Sequence, residues 1–169
     1  NATVDSCLYH LRAAIGSAAA TIDALAVLSQ LAFLPPTTAV DGGLRLSLRR
    51  RQFRKTLRES GGVRTADVAS QSGVLLGLIW DLRNPVLHRE SISGFTLGRG
   101  AVSRASQESR VALNDNQAGR LVEYMREQGS AEDDWGFERR GGWTASVDAY
   151  RFGDRFVIAS IATAEALMK

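Results

Sequence analysis

A short polar segment, Asp81-Leu82-Arg83-Asn84-Pro85-Val86-Leu87-His88-Arg89, ends an apolar run that begins near Val74. Its side chains suit the handling of a phosphate group. The planar guanidinium of Arg83 can bind two phosphate oxygens at once, and the amide of Asn84 can both donate and accept hydrogen bonds. His88, one of only two histidines in the chain, can exchange a proton near neutral pH. These three residues are therefore the candidates for chemistry.

The spacing of this segment resembles the active motif of the HEPN superfamily. Four residues separate Arg83 from His88, and a polar residue, Asn84, follows the arginine directly. The resemblance implies a bundle of four or five helices with the motif near the end of the third helix. It also implies cleavage of RNA without a metal ion, in which the substrate's 2′-hydroxyl attacks the adjacent phosphorus and leaves a 2′,3′-cyclic phosphate and a 5′-hydroxyl.

Each motif residue has a role that its chemistry suits. Arg83 would stabilise the charge that builds on the phosphoryl oxygens in the transition state. His88 would act as general base or acid, and Asn84 would orient the phosphate or the imidazole. Arg89 either holds a neighbouring phosphate or is a surface charge. A helix-terminal Arg and His can also simply cap carbonyls and complement the helix dipole.

Positive charge is concentrated in residues 45 to 64, which carry a net charge of +7, whereas the rest of the chain sums to −4. Such a block suits a polyanion, and we expect Arg49, Arg50 and Arg54 to contact RNA. Two other interpretations are a solvated helix face and a patch that binds an acidic partner protein.

Helical periodicity dominates the first half of the chain. Apolar residues recur at alternating steps of four and three from Val4 to Leu31, which predicts a helix over about 3–33. Further helices are predicted over about 46–59, 65–89 and 147–168. Between the last two lies an insertion, about 91–146, with strand-like pieces, a short helix capped at Asn114 to Asn116 and closed by Gly129, and a hairpin at Gly141-Gly142. The prediction is a single, mainly α domain over 1–169, a four-helix bundle with an α+β insertion.

Pro85 bears on whether Arg83 and His88 can act together. In an uninterrupted helix, the five steps from Arg83 to His88 turn through roughly 500°, so the side chains would point about 140° apart. Because proline removes a backbone donor and disfavours helical geometry at the preceding residue, the third helix is predicted to end or kink at Asn84. Helical geometry would resume through Val86 to Arg89, with His88 swung back toward Arg83.

The composition limits the accessory groups and the location. The single cysteine, Cys7, excludes an internal disulfide framework, and with two histidines it leaves no recognisable zinc cluster, so neither a metal nor a cofactor is expected. No apolar run approaches the ~20 residues that span a bilayer, and the N-terminus lacks a signal-peptide pattern. We therefore expect a cytoplasmic protein that does not bind a membrane.

Transesterification benefits from both a base and an acid, yet the motif supplies one histidine. HEPN ribonucleases dimerise so that two motifs face one cleft, and the resemblance implies a two-fold homodimer here, with helix packing around the third and fourth helices as its interface. The favoured function is an endoribonuclease of the toxin or defence type, restrained by an antitoxin or a sensing partner or domain. The alternative is a catalytically silent HEPN-like module that binds RNA or a nucleotide, or that serves in dimerisation.

Overall fold

The computed structural model describes residues 2–35, 46–87, 94–97, 108–140 and 144–169. Within these ranges the chain is mainly helical, as predicted, and carries a small antiparallel sheet. The helices are α1 (Ala2–Phe33), α2 (Arg51–Glu59), α3 (Val63–Gln71), α4 (Gly73–Leu87), α5 (Asp115–Gln128) and α6 (Ala149–Met168). The strands are β1 (Gly94–Leu97), β2 (Glu108–Leu113), β3 (Phe137–Arg140) and β4 (Thr144–Asp148), and a 3₁₀ turn spans Glu132–Trp135.

Helix α1 has the predicted extent, and its periodic apolar seam is its inner face. Leu11, Ile15 and Leu25 of this seam are buried, and Ile22 is partly buried between the two clusters of core residues. The seam packs on α4 and α6. A repeat close to 3.5 residues keeps one side of a long helix against its neighbours, which explains why the helix could be read from the sequence.

The second and third predicted helices differ from those observed. Helix α2 begins at Arg51 rather than near residue 46, because residues 47 to 50 form a turn closed by the Arg50 amide donating to the Ser47 carbonyl at 2.9 Å. The single helix predicted over 65–89 is two helices, α3 and α4. The break falls at Ser72-Gly73, two residues with low helix propensity.

The predicted insertion has the expected elements, and it shares the core of the helices. Its sheet has the strand order β1-β2-β4-β3, all antiparallel. Strands β3 and β4 pair as a hairpin would, with Arg140 opposite Thr144; the glycine pair predicted to turn it lies outside the described residues. Val111 of β2, Leu121 of α5 and Val147 of β4 belong to the same buried cluster as Ile15 of α1.

Helix α1 also corrects the expectation that no segment resembles a membrane span. Residues Ser6–Phe33 are, by length and composition, long and apolar enough to cross a bilayer, although core helices of soluble proteins pass the same test. Only 28% of its most apolar 18-residue window is buried. One side of α1 therefore belongs to the core, and much of the remainder is apolar surface.

Candidate functional site

The motif lies in the last turns of α4, which continues past Asn84 and through Pro85 to Leu87. Of the two outcomes predicted at Asn84, an end or a kink of the helix, the end is therefore wrong. Arg83 and Asn84 belong to this helix, and Asn84 is exposed. His88 and Arg89 lie outside the described residues, so the placing of the imidazole beside Arg83 stays a prediction.

A side chain from α5 explains how the helix accommodates a proline. Because Pro85 has no N–H, the carbonyl of Asp81 loses the partner it would have four residues later. The side-chain amide of Gln117 donates to that carbonyl at 3.0 Å. Gln117 is itself fixed by the capping box of α5, in which it exchanges hydrogen bonds with Asn114. The lost backbone hydrogen bond is thus replaced by one from a buried side chain.

The same side of α4 carries an ion pair to α5. The Asp81 carboxylate accepts a hydrogen bond from the guanidinium of Arg120. Arg120 lies across Gly77, where a Cβ atom would come within 2.5 Å of its Nη1. Glycine at position 77 leaves room for the guanidinium of Arg120, which a Cβ atom would push aside. We call Gly77 and Asp81 the α5 flank of α4.

A second side of α4 carries the motif arginine. Nη1 of Arg83 lies 2.9 Å from Oδ2 of Asp23 on α1, and the two side chains are 25% and 45% exposed. The guanidinium of Arg83 also lies over the ring of Trp80, with Cζ 5.3 Å from the centroid. An ion pair and a cation–π contact together fix its position. We call Trp80 and Arg83 the Trp80 flank.

The Trp80 flank also receives an arginine from the basic segment. Cζ of Arg49 lies 4.7 Å from the centroid of the Trp80 ring, and Nε of Arg49 is buried without a hydrogen-bond partner. The structure therefore brings Arg49, one of the predicted RNA-binding residues, to the same indole as Arg83, the predicted catalytic arginine. Sequence analysis missed Asp23 and the contact of Arg49 with Trp80, because these pairs lie 60 and 31 positions apart and leave no local pattern. Trp80 itself lies three residues before Arg83 on one helix, a local signal that could have identified it.

The other two predicted RNA-binding arginines differ from each other. Arg50 is exposed just before α2. Arg54 turns back, and its Nη1 donates to the carbonyls of Leu48 at 2.9 Å and Arg49 at 2.5 Å. Burial, together with the charges of Arg58 and Arg51, lowers the pKa of Arg54 from its usual value. Arg54 thus holds the turn that presents Arg49, rather than pointing outward as predicted.

Part of the remaining charge of the basic segment is compensated within the fold. Arg58 pairs with Asp67 of α3, and Nζ of Lys55 lies 3.7 Å from Oε1 of Glu59. Exposed pairs of this kind contribute little to stability, but they reduce the net charge offered to a polyanion. The segment is therefore less uniformly cationic than its sequence suggests.

Two tryptophans fall in residues 135 to 143, and aromatic side chains there can either stack on bases or cover a local core. Trp135 is 3% exposed and packs edge-on against Tyr124 and near Phe152, with ring centroids 5.6 and 6.0 Å away. Its ring is thus part of the core and cannot stack on a base. Trp143 lies outside the described residues.

Comparison of the chain with protein-family models, with curated proteins and with solved structures gives no match. The resemblance to HEPN proteins therefore depends on the Arg83-Asn84-x3-His88 motif and on a mainly helical fold.

Proposed function

We propose that the chain is a metal-independent endoribonuclease of HEPN type, acting as a toxin or in defence. One observation supports it best: the guanidinium groups of Arg83 and Arg49 share the ring of Trp80, and the exposed residue Asn84 follows Arg83 on the same helix. Two guanidinium groups gathered on one indole, next in sequence to an exposed amide, form a surface that suits a phosphodiester.

The chemistry follows from these groups. A phosphate on the Trp80 flank accepts hydrogen bonds from the fork of Arg83, while Arg49 adds positive charge. Asn84 orients the phosphate or the imidazole. His88 follows α4 directly in the sequence and supplies proton transfer to the attacking 2′-hydroxyl or the leaving 5′-oxygen.

Asp23 limits how RNA can use Arg83. Its carboxylate already neutralises part of the guanidinium charge, so a phosphate must share Arg83 with Asp23 or displace it. Because Trp80 also contacts Arg83, the guanidinium keeps its place during this exchange. Asp23 therefore acts as a positioning residue that holds Arg83 ready when no substrate is bound.

The Asp23–Arg83 pair also favours the second candidate, a catalytically silent HEPN-like module that binds RNA or a nucleotide. In such a module the ion pair would be purely structural, joining α1 to α4. The two candidates differ in what happens to bound RNA, since the module binds RNA without breaking a phosphodiester bond.

The test is incubation of purified protein with mixed RNA in EDTA, followed by analysis of the product ends. We expect 2′,3′-cyclic phosphate and 5′-hydroxyl ends, and a rate at least about 10²-fold lower for His88→Ala. His10→Ala is the matched control, because His10 is the other histidine and lies exposed on α1. If the wild-type protein binds RNA and leaves it intact, the silent module is the correct function and the enzyme is not. Activity lost in EDTA and restored by Mg²⁺ would contradict the mechanism.

One histidine per motif leaves the acid–base pair incomplete, so the proposed enzyme is a homodimer whose two motifs serve one cleft. Added in excess to wild type, His88→Ala chains should lower the activity per wild-type chain once subunits exchange. Restraint in the cell would come from an antitoxin or a sensing partner or domain.

A further inference from the structure

A cavity of about 520 Å³ lies between α6 and the helices α3, α4 and α5. It is separate from the Trp80 flank, since no residue that lines it belongs to the motif or to the basic segment. Its volume is within the range of small-molecule sites, roughly 300–1,000 Å³. Leu75, Trp135 and Thr163 line it and are buried, whereas Arg155 and Ile158 line it and are exposed. The cavity, which we call the α6 cavity, therefore has a buried floor and an exposed rim.

The side of α6 that lines the cavity carries small residues. Ala159, Ala162 and Ala166 recur every three or four positions, so they share one side of the helix. From Arg155 to Ala166 this side extends about 16 Å. Leu75 of α4 adds a larger apolar side chain to the wall. The small side chains leave room along α6 for the apolar body of a ligand.

Hydrogen-bond donors gather at one end of the α6 cavity. The rings of Tyr124 and Trp135 meet edge-on with centroids 5.6 Å apart, and both residues line the cavity. Arg155 reaches the same end, because its Nη2 lies 3.6 Å from Oδ1 of Asp134, the residue before Trp135. Burial, followed by the charge of Glu127, raises the pKa of Tyr124 above its usual value, so its hydroxyl stays protonated. An indole, a phenol and a guanidinium thus form one set of donors.

Trp135 carries a polar atom that the fold leaves without a partner. Its side chain is 3% exposed, and its Nε1 makes no hydrogen bond to any of the described residues. An indole N–H donates and cannot accept, so only an acceptor can satisfy it. A buried donor without an acceptor destabilises the fold, and buried tryptophans usually direct this group to a partner. An acceptor in the α6 cavity would supply that partner, which is the observation that points to a ligand.

The charges at this end select the head group of that ligand. Its donors are neutral or cationic, so they suit an acceptor that carries negative charge. The distance between Arg155 and Asp134 is too long for a hydrogen bond, so the ion pair leaves the donors of the guanidinium for the ligand. Asp134 still offsets part of the positive charge, and Glu127 adds negative charge near Tyr124. A carboxylate, with its single charge, therefore suits the site better than a phosphate.

We propose that the α6 cavity binds a small carboxylate with an apolar body. The head group accepts hydrogen bonds from the Trp135 indole and the Tyr124 hydroxyl and pairs with Arg155. The body lies along Ala159 and Ala162 of α6. This site adds to the proposed function and does not depend on it, so a chain without ribonuclease activity would still bind the carboxylate.

Decanoate and naphthylacetate are the test ligands, because they carry the same head group on a flexible chain and on a flat ring system. The chain has three tryptophans, whose indole N–H signals in proton–nitrogen correlation spectra are assigned by substituting each with phenylalanine. Below micelle-forming concentrations, we expect at least one of the two carboxylates to shift the Trp135 signal saturably and to leave that of Trp80 unmoved. Decanol and decyltrimethylammonium, which lack the negative charge, should not shift it. No saturable shift with either carboxylate, or an equal shift with decanol, would overturn the proposal.

Variants measured by calorimetric titration with the carboxylate that binds locate the site. Arg155→Gln should weaken binding by about tenfold or more, whereas Arg126→Gln, exposed on α5 outside the cavity, should leave it unchanged. Ala162→Leu narrows the exposed rim and should also weaken binding, with Ala13→Leu on the exposed part of α1 as its control. Trp135→Phe keeps the ring and removes the unpaired donor, so binding should weaken while the free protein loses no stability. Full affinity in both Arg155→Gln and Trp135→Phe would contradict the assigned site.

Discussion

The two flanks of α4 both bring arginine and aspartate side chains together, but with different roles. On the α5 flank, Arg120 and Gln117 bind the side chain and the carbonyl of Asp81, and each polar atom in these contacts has a partner within the fold. On the Trp80 flank, Arg83 and Arg49 meet an indole and one half-exposed carboxylate. The positive charge on the α5 flank is compensated within the fold, so this flank supports the helix. Positive charge is concentrated on the Trp80 flank, so this flank is the binding surface.

The largest expected change in stability concerns the support. Gln117→Leu leaves the carbonyl of Asp81 without a donor and removes half of the α5 capping box, so the free energy of unfolding should fall by about 1–3 kcal/mol in urea titrations. Cleavage per folded molecule should change little. Gln128→Leu, on the exposed end of the same helix, is the control.

Pro85→Ala sharpens this test, because alanine restores the N–H that the Asp81 carbonyl lacks. The cost of Gln117→Leu should therefore be smaller in a Pro85→Ala background than in the wild type. An equal cost in both backgrounds would mean that Gln117 does not act by replacing the missing backbone bond.

Arg54 and Arg50 should show different effects within the basic segment, because Arg54 supports the fold and Arg50 is expected to bind RNA. Arg54→Gln should lower the free energy of unfolding by about 1 kcal/mol, because it removes hydrogen bonds to the carbonyls of Leu48 and Arg49. Arg50→Gln should leave stability unchanged and reduce the slope of log Kd against log salt by about 0.7 for single-stranded RNA. An unchanged slope in Arg50→Gln would indicate that this residue faces solvent or a protein partner.

The smallest effect is expected at Asp23. Asp23→Asn removes the charge that competes with phosphate for Arg83, so RNA should bind more tightly and the salt slope should rise by up to about 0.7. Stability should fall by less than about 1 kcal/mol, since the carboxylate is half exposed. Filter binding at fixed oligomeric state would measure the affinity for RNA and its salt slope. Weaker binding in Asp23→Asn would contradict this prediction and show that the loss of positioning outweighs the removal of the competing charge.

Local sequence patterns predicted the bounds of a helix well where an apolar repeat or a capping residue determines them. The long apolar seam gave α1 its extent, and Asn114 and Gly129 gave α5 its ends. The break at Ser72-Gly73 was missed because the apolar seam runs through it unchanged. Pro85 was expected to end or kink the helix, and the α5 amide that bonds the unpaired carbonyl lies 32 residues further along the chain.

The candidate site was only partly predictable for the same reason. Arg83, Asn84 and His88 share one segment, so their spacing could be recognised. The position of Arg49 on Trp80 depends on how the turn that carries Leu48 packs into the buried cluster it shares with Leu76 of α4, and no sequence period records it. The backward turn of Arg54 was missed as well, because an arginine in a basic run is expected to face solvent.

Substituting one arginine on each flank of α4 tests the distinction most directly. Arg83→Gln and Arg120→Gln remove the same charge from the same helical neighbourhood, and RNA cleavage per folded molecule is measured side by side in EDTA. We expect Arg83→Gln to lower the rate by about 10²–10³-fold and Arg120→Gln to leave it nearly unchanged while reducing stability. Equal rates in the two variants, or a greater loss in Arg120→Gln, would contradict the assignment of the Trp80 flank as the site of phosphate chemistry.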